Sequence, residues 1–408
     1  MFLDKLKRYL RVKDSPQAIK AEYASPRNEY YGKVSERFSI AQTLLYVLLT
    51  LVVLISLMIN SEWITYENFY YFFSDMGDYI TSSDSNIEDV MYSVDRNQSF
   101  ELYGGKLAVA GNSGFKLYTS SGRLIVDDSE DIGNPKLEAS DRYLLMYDSG
   151  GTEFRIYNMF TEIFSDHAAG DIFTADVADS GDVVIVTKGD AYNSSIDLYN
   201  SKFKLKKSYK LANDYVVDVS LSSNGAKLAV LSYSFNGAEV ISKVGITDTS
   251  GNGGFNEIKI NGSFPLYCEF TSSGRLNVIC DDRIVSYEEN GREIKEILFG
   301  DDGRAVFADM NSDGAAVVVQ KNQEYRLIVF DRNGNSVYND HLSGSTEGIR
   351  LYGSFVFVDS DETIMRIDLS SKKVSRVPCR YFGGEMLIKS DQEVLLCLPE
   401  RVKYIKFE

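Results

Sequence analysis

Histidine, tryptophan and cysteine are scarce in this 408-residue sequence, which contains two, one and four of them. The sequence also lacks an HExxH or CxxC motif, a nucleophile elbow and a phosphate-binding loop, which excludes the recognisable forms of metalloprotease, thiol-redox, α/β-hydrolase and nucleotide sites. A formal net charge of −16 argues against nucleic-acid binding, which needs a basic face. We therefore expect no nucleic-acid partner and no cofactor, and we favour binding over catalysis.

Charge is absent altogether from residues 38–61, a 24-residue stretch rich in Leu, Ile and Val. As a helix this stretch is about 36 Å long, enough to cross a bilayer core of about 30 Å with some tilt. A cleaved signal peptide is the alternative, but its apolar run would be shorter and followed by a small-x-small cleavage site. The stretch therefore predicts one transmembrane helix that contacts the lipid bilayer.

The flanks of this stretch predict its orientation. Residues 1–37 hold nine Lys/Arg and five Asp/Glu, a net of +4, so the remainder carries −16 − 4 = −20. The positive-inside rule places the basic head, with a flexible connector at residues 14–36, in the cytoplasm and the C-terminal bulk outside the cell membrane. Aromatic residues crowd the segment 62–85 as a juxtamembrane stalk, and Trp63 and Tyr66 are the expected membrane-interface residues.

Residues 86–408 consist of short alternating runs separated by Gly, Asn, Asp and Ser, which is typical of short strands joined by tight turns. A turn followed by an apolar strand recurs, and the steps between successive turns are 36, 40, 44, 49, 40, 39 and 38 residues. The marker residues are Gly105, Asp141, Gly181, Gly225, Gly274, Gly314, Gly353 and Asp391. A period near 40 predicts an all-β, eight-bladed β-propeller, with seven blades as the alternative. The last unit is one strand short, and residues 87–94 are expected to supply that strand and close the ring.

One turn of the repeat has cation-ligand spacing. Asp309, Asn311 and Asp313 precede Gly314 in a D-x-N-x-D-G pattern, which is similar to the calcium loop of integrin-type propellers and lets three side-chain oxygens converge on a hard cation. A further carboxylate is missing, because Val317 and Gln320 occupy the expected positions. Asn, Asp and Gly are also ordinary turn residues. The pattern leaves calcium binding and a plain hairpin turn both open.

The four cysteines, Cys268, Cys280, Cys379 and Cys397, all lie in the predicted propeller. Cys268 and Cys280 flank a hairpin turn, so a cross-strand disulfide is one reading. Cys397 lies in the apolar run VLLCL, which is typical of a small core residue. We favour four free, buried thiols.

The phrases VFDRNGNSVY and SYEENGREIKEI resemble blades of quinoprotein-like and WD40-like propellers, although the tryptophan docking motif and the Trp-Asp pair are absent. The whole layout is similar to an uncharacterised family of membrane-anchored propellers from Gram-positive anaerobes, classed as a domain of unknown function. This resemblance implies architecture and location, and it implies no activity.

These observations predict a membrane-anchored extracytoplasmic propeller that binds or scaffolds protein or cell-envelope partners through one of its faces. The alternative is an extracytoplasmic, glycan-active hydrolase that uses carboxylates in the central funnel, because paired Asp and Glu side chains suffice for glycoside chemistry. Two carboxylates about 5 to 10 Å apart in an apolar-walled central pocket would favour the alternative, and a funnel plugged by side chains would favour the binding module.

Overall fold

The computed structural model describes residues 26–59, 90–92, 95–119, 122–189, 191–251, 253–344, 346–360, 362–379 and 384–407. Two compact units, residues 1–74 and 75–408, divide the chain. The first unit contains helix α1 (Pro26–Ile59, 34 residues), and its window Phe38–Ile55 has a mean hydropathy of 2.3 and is fully exposed. By length and composition this helix is able to span a membrane.

Helix α1 begins earlier than the sequence suggested. Residues 26–36, expected to be a flexible connector, are helical. Proline is tolerated at the first position of a helix, where its missing N–H has no partner to lose and its fixed φ suits the helical backbone. Pro26 therefore starts the helix rather than interrupting it. The stalk at 62–85, with Trp63 and Tyr66, lies outside the described residues, as do residues 60–61 and 1–25.

The second unit contains 31 described strands in eight antiparallel meanders, seven of four strands and one of three. We number these sheets blades 1 to 8 in chain order. Blades 1 to 4 are formed by β1 (Ser99–Tyr103), β2 (Lys106–Gly111), β3 (Gly114–Tyr118), β4 (Leu124–Asp128); β5 (Pro135–Ala139), β6 (Leu144–Asp148), β7 (Glu153–Tyr157), β8 (Glu162–His167); β9 (Ile172–Val177), β10 (Val183–Thr187), β11 (Ser194–Tyr199), β12 (Leu205–Leu211); and β13 (Tyr215–Leu221), β14 (Lys227–Asn236), β15 (Glu239–Asp248), β16 (Asn256–Ile260).

Blades 5 to 8 repeat the arrangement, and the last has three strands. They are formed by β17 (Pro265–Phe270), β18 (Arg275–Cys280), β19 (Arg283–Glu288), β20 (Glu293–Leu298); β21 (Arg304–Asn311), β22 (Gly314–Lys321), β23 (Glu324–Asp331), β24 (Ser336–Leu342); β25 (Gly348–Tyr352), β26 (Phe355–Ser360), β27 (Thr363–Asp368), β28 (Val374–Pro378); and β29 (Glu385–Ser390), β30 (Glu393–Cys397), β31 (Val402–Lys406).

The blades form a closed ring with the first strand of each on the inside. Each first strand contacts the first strand of the next blade, and β29 of blade 8 contacts β1 of blade 1. Because every first strand has a first-strand neighbour on both sides, the sheets are arranged radially around a central channel. The eight-bladed prediction is confirmed, and the seven-bladed alternative is wrong.

Burial explains why the strands differ in composition. Apolar clusters fill the spaces between blades, as Leu231, Leu276 and Val278 do between blades 4 and 5. The second strand of a blade is covered on both faces, so β10 (VVIVT) is an unbroken buried run. The fourth strand lies at the outer edge, where β12 (LKKSYKL) alternates and exposes lysines, which discourage pairing with another chain.

Residues ahead of β1 complete blade 8. Met91 pairs antiparallel with Arg401, the Tyr92 N–H donates to Glu400 O at 3.2 Å, and the Val402 N–H donates to Val90 O at 3.1 Å. Val90 and Tyr92 are buried between blades 8 and 1. Residues 90–92, the described part of the predicted closing segment 87–94, thus occupy the position of the missing fourth strand.

The meander gives the ring two different faces. The turns between first and second strands, and between third and fourth strands, lie on one face. The turns between second and third strands, and the connections from one blade to the next, lie on the other, which we call the linker face. The β14–β15 hairpin extends farthest on the linker face, because each of its strands has 10 residues.

Candidate functional site

Acidic side chains from seven of the eight first strands surround the central channel. Blade 7 has Arg350 in place of an acid. The charge of Asp218 on blade 4 raises the pKa of Glu138 on blade 2 although their blades are not neighbours, which places both carboxyls toward the channel. The seven acids are Glu101, Glu138, Asp176, Asp218, Glu269, Asp309 and Glu385.

Burial raises the pKa of all seven carboxyls. It raises the pKa of Glu101 to about 7, that of Asp218 to about 7 and that of Asp309 to about 6. The pKa values of Glu138 and Glu269 lie well above the usual range, first because of burial and then because of the other channel carboxylates. Part of this ring is therefore protonated near neutral pH.

Only some of the seven channel carboxyls lie close to a basic side chain. Arg350 Nη2 lies 3.3 Å from Glu385 Oε1, and its Nη1 lies 3.8 Å from Asp309 Oδ1. The guanidinium on blade 7 therefore partly compensates the carboxylates of blades 6 and 8. The acids of blades 2 to 5 make no ion pair within 4 Å among the described residues, and the nearest basic influence is that of Lys136 on Glu138. The channel acids of blades 2 to 5 are thus the ones without a basic partner within 4 Å among the described residues.

The channel carboxylates also join neighbouring blades. Asp176 Oδ2 accepts the Leu221 N–H at 2.6 Å, and Asp218 Oδ2 accepts the Cys268 N–H at 2.9 Å. These donors belong to the first strand of the following blade. Adjacent first strands share no backbone ladder, so the side chains satisfy backbone groups that would otherwise lack partners.

The predicted calcium residues lie in this same system. Asp309 Oδ2 accepts the Leu351 N–H at 2.7 Å, the Asn311 Nδ2–H donates to Leu351 O at 2.8 Å, and Asp313 Oδ2 accepts the Gly353 N–H at 2.7 Å. All three side chains thus bind blade 6 to blade 7. Within the described part of the chain, no three His, Cys, Asp or Glu side chains converge as a metal site. Calcium binding by these residues stays a prediction.

A cluster of aromatic rings stands exposed on the linker face at blades 4 and 5. Tyr215 and Tyr233 are stacked with ring centroids 5.3 Å apart, and Phe235 meets both rings edge-on at 6.2 and 5.6 Å. Phe264, just before β17, lies 5.1 Å from the Tyr233 ring. Although Phe235 and Phe264 each contact the Tyr233 ring, Phe235 is 60% exposed and Phe264 is 40% exposed. We call these four residues the aromatic rim.

The structure also locates other residues that the sequence singled out. All four cysteines are free and buried, which confirms the favoured prediction, and Cys268 pairs in register with Val278 rather than with Cys280. The histidines, at positions 167 and 341, lie at the ends of outer strands β8 and β24, as the last and the penultimate residue, and the backbone N–H of each donates to the Oδ1 of the preceding aspartate at 2.8 Å. Neither histidine lies on a first strand, so neither lines the central channel.

Sequence reasoning missed the carboxylate ring, although a signal was present. An acid lies a few residues ahead of most turn markers, as Glu101, Asp176 and Glu269 do. Each looks like an ordinary polar position of an alternating strand, and only closure of the ring brings them together. The aromatic rim was missed because its members come from two strands and one connection.

Residues 78–407 match the Family of unknown function (DUF5711), a span of 330 of the 408 residues. The chain belongs to this family. The family description assigns no activity, in agreement with the resemblance that the whole layout of the sequence carried. No curated protein matches the sequence.

Solved structures with the same fold are WD40-like and quinoprotein-like β-propellers. Sqt1 from Saccharomyces cerevisiae is similar with a TM-score of 0.55 at 8% identity, over 78% of this chain and 98% of that one. BamB from Moraxella catarrhalis is similar with a TM-score of 0.51 at 10% identity, over 79% of this chain and 99% of that one. At such identities the similarity establishes the fold alone.

Proposed function

We propose that this DUF5711 protein is a membrane-anchored binding module whose propeller lies outside the cytoplasm and presents its linker face to a protein or cell-envelope partner. The observation that carries the proposal is the aromatic rim. Four rings packed against one another yet open to solvent form a preorganised apolar surface on a rigid ring. Such a surface is typical of an interaction site.

The membrane part of the proposal rests on helix α1 and on the charges beside it. The Phe38–Ile55 window is apolar and exposed, so a bilayer is its natural surrounding. The net charge of +4 before residue 38 and −20 after residue 61 favours a cytoplasmic N-terminus. A tether also raises the local concentration of the propeller near partners in the same membrane, so that modest affinity suffices.

Cysteine labelling in intact cells tests the orientation. All four native cysteines are buried, so the folded wild-type protein should react little with a membrane-impermeant maleimide. Ser201 lies in the exposed turn between β11 and β12, and a Ser201→Cys variant should be labelled without permeabilisation. Labelling that requires permeabilised cells would place the propeller in the cytoplasm and contradict the proposed location.

Site-specific photocrosslinking tests the binding role. A benzoylphenylalanine in place of Ala238, at the exposed tip of the β14–β15 hairpin beside the aromatic rim, should form a discrete adduct in cells. The same residue in place of Ser201 probes the opposite face and serves as the matched control. Equal yields at the two positions, or no adduct at position 238, would contradict a binding role for the linker face.

One observation favours the hydrolase alternative enough to state it. The pKa values of Glu138 and Glu269 are raised well above the usual range, as a general acid requires, while other acids of the ring have smaller shifts. A hydrolase would release reducing sugar from cell-envelope glycan, and Glu138→Gln would abolish that release. Unchanged glycan after incubation with the full-length protein would remove this alternative.

A further inference from the structure

We infer that the aromatic rim and the adjoining channel mouth form a docking site for a polypeptide segment that presents a basic side chain flanked by apolar residues. This inference rests on the proposed function and specifies the partner chemistry. The apolar flanks would pack on the rim, and the cationic group would enter the acidic side of the channel.

The register places the rim directly above a channel carboxylate. Tyr215 pairs with Tyr233, and Asp218 pairs with Leu231, because a bulge between Val216 and Asp218 shifts the register by one residue. Tyr215 and Asp218 therefore face the same side of blade 4, toward blade 5. They are two ladder positions apart, about 7 Å along the strand. An extended lysine or arginine side chain spans that distance.

A second carboxylate follows the same arrangement on blade 5. Tyr267 is 52% exposed near the linker-face end of β17, and Glu269 follows two residues later on the same side of the strand. Asp218 and Glu269 are channel acids that form no ion pair with any described base. Aromatic faces attract cations through the ring quadrupole, and carboxylates attract them through charge. Both features of this surface thus favour a cationic group.

Open backbone positions beside the rim favour a polypeptide over a small cation. Tyr215↔Tyr233 is the last pair between β13 and β14, whereas β14 and β15 continue to Asn236↔Glu239. The edge of β14 from Ser234 to Asn236 therefore has no strand beside it among the described residues. An extended peptide is able to pair with such an edge while its side chains alternate between the rim and solvent.

Charge also argues for a basic polypeptide rather than an anionic lipid surface. The chain after residue 61 carries a net charge of −20, which repels anionic headgroups and attracts a basic segment. Beside the rim, Lys243 lies 3.0 Å from both Asp214 and Glu257 and is fully engaged. This lysine is therefore already paired with two surface carboxylates and forms no ion pair with a described channel acid.

Binding of a defined peptide to the full-length protein in detergent micelles tests the inference. The probe is a blocked, fluorescent, extended peptide with one lysine between two leucines, and its affinity is read by fluorescence anisotropy. Acetylation of the lysine removes the charge and should weaken binding about tenfold or more, the loss of one ionic hydrogen bond. Asp218→Asn and Phe235→Ser should each weaken binding of the lysine peptide to a similar extent.

Matched variants separate the site from general effects. Leu205 is 58% exposed on the opposite face, so Leu205→Ser removes as much exposed apolar surface as Phe235→Ser and should leave affinity unchanged. Asp248→Asn removes a carboxylate that pairs with Lys227 at the surface and should also have no effect. Equal affinity for the acetylated and unmodified peptides would overturn the inference, as would normal binding by Phe235→Ser.

Other occupants give different results in the same series. Rim-dependent binding to phosphatidylcholine or phosphatidylglycerol vesicles that matches or exceeds peptide binding would assign the surface to lipid and overturn the inference. Self-association in sedimentation that Phe235→Ser abolishes would assign it to a second copy and overturn it too. If the lysine peptide does not bind while the photoadduct at position 238 still forms, the inference of a basic partner is wrong and the proposed binding module stands. If the lysine peptide does not bind and no photoadduct forms at position 238, the inferred basic partner and the proposed binding module are both overturned.

Discussion

Arg155 shows how single residues connect the blades. The side chain is 3% exposed on β7 of blade 2, and its Nη1 lies 2.7 Å from Asp128 Oδ2 of blade 1. It also contacts Glu130 and Glu153, and the Tyr157 hydroxyl donates to Asp128 Oδ2 at 2.8 Å. Burial alone would raise the pKa of Asp128, but the hydrogen bonds from Tyr157 and Arg155 outweigh it and lower that pKa.

Replacing Arg155 should destabilise the propeller strongly. An Arg155→Met variant keeps most of the side-chain volume but leaves four carboxylates, including that of Glu162 at 3.6 Å, facing one another without a cation. Losing one partner of a buried ionic cluster costs about 3 kcal/mol of unfolding free energy. Urea unfolding of the full-length protein measures the loss.

A surface arginine provides the comparison. Arg292 is 74% exposed and pairs with Glu288 across the hairpin turn between β19 and β20, so Arg292→Met should leave the urea midpoint nearly unchanged. Equal losses for the two arginine variants would show that position 155 has no special role in joining blades 1 and 2.

At the scale of elements, the first strands are held together mainly by side chains. The D-x-N-x-D-G turn that suggested calcium provides three bonds from blade 6 to blade 7, two to Leu351 in the first strand and one to Gly353 in the turn that follows it. Its spacing serves this purpose because residues at i and i+2 point to the same side of a strand. A pattern typical of cation ligands thus coincides with a hydrogen-bonded seam between two blades.

Asp313→Ala tests this seam. The variant removes the acceptor of the Gly353 N–H, and we expect a loss of about 1 kcal/mol in unfolding free energy. The exposed turn residue Asp301 is the matched control, and Asp301→Ala should leave stability unchanged. Urea unfolding with and without millimolar calcium measures both effects. A calcium-induced rise in wild-type stability that Asp313→Ala abolishes would establish the cation site.

The sequence predicts elements well where the evidence is local and poorly where it depends on closure. Turns such as Ser223-Asn224-Gly225 and the apolar strands after them repeat with a readable period, so blade number and strand order follow from the sequence. The start of α1 at Pro26 was misjudged because proline both breaks and begins helices. The relation of Asp218 to Tyr215 depends on a bulge, which no period reveals.

At the scale of the whole molecule, a few residues ahead of β1 close the ring. Tyr92 is 7% exposed, packs with its ring centroid 5.4 Å from that of Phe100, and bonds Leu398 O through its hydroxyl. We expect Tyr92→Ala to cost about 3 kcal/mol of unfolding free energy, because it opens a cavity between the first and last blades. Its neighbour Met91 is 73% exposed, so Met91→Ala should cost little. Equal melting temperatures for Tyr92→Ala and Met91→Ala would contradict the closure of the ring by the residues ahead of β1.

The channel carboxylates make the stability of the whole ring depend on pH. In an unfolded chain Asp and Glu titrate near pH 4, whereas burial raises the pKa of Glu101 to about 7 and that of Asp309 to about 6. Between these values the folded protein holds more protons than the unfolded chain, so the unfolding free energy falls as pH rises. The stabilising contribution is complete below about pH 4 and is lost as pH rises through about 6 to 7. We expect a higher melting temperature near pH 5.5 than near pH 8.

A charge-neutral variant tests whether the channel causes this pH dependence. Glu138→Gln mimics the protonated carboxyl and removes one repulsive partner of Glu269, so the decline in melting temperature between about pH 5.5 and pH 8 should become shallower. Glu239→Gln, at the exposed hairpin tip, changes the net charge by the same amount and should leave the decline intact. Because the acids crowd together only when all eight blades surround one axis, a pH-independent melting temperature would contradict the close approach of these carboxyls in the channel.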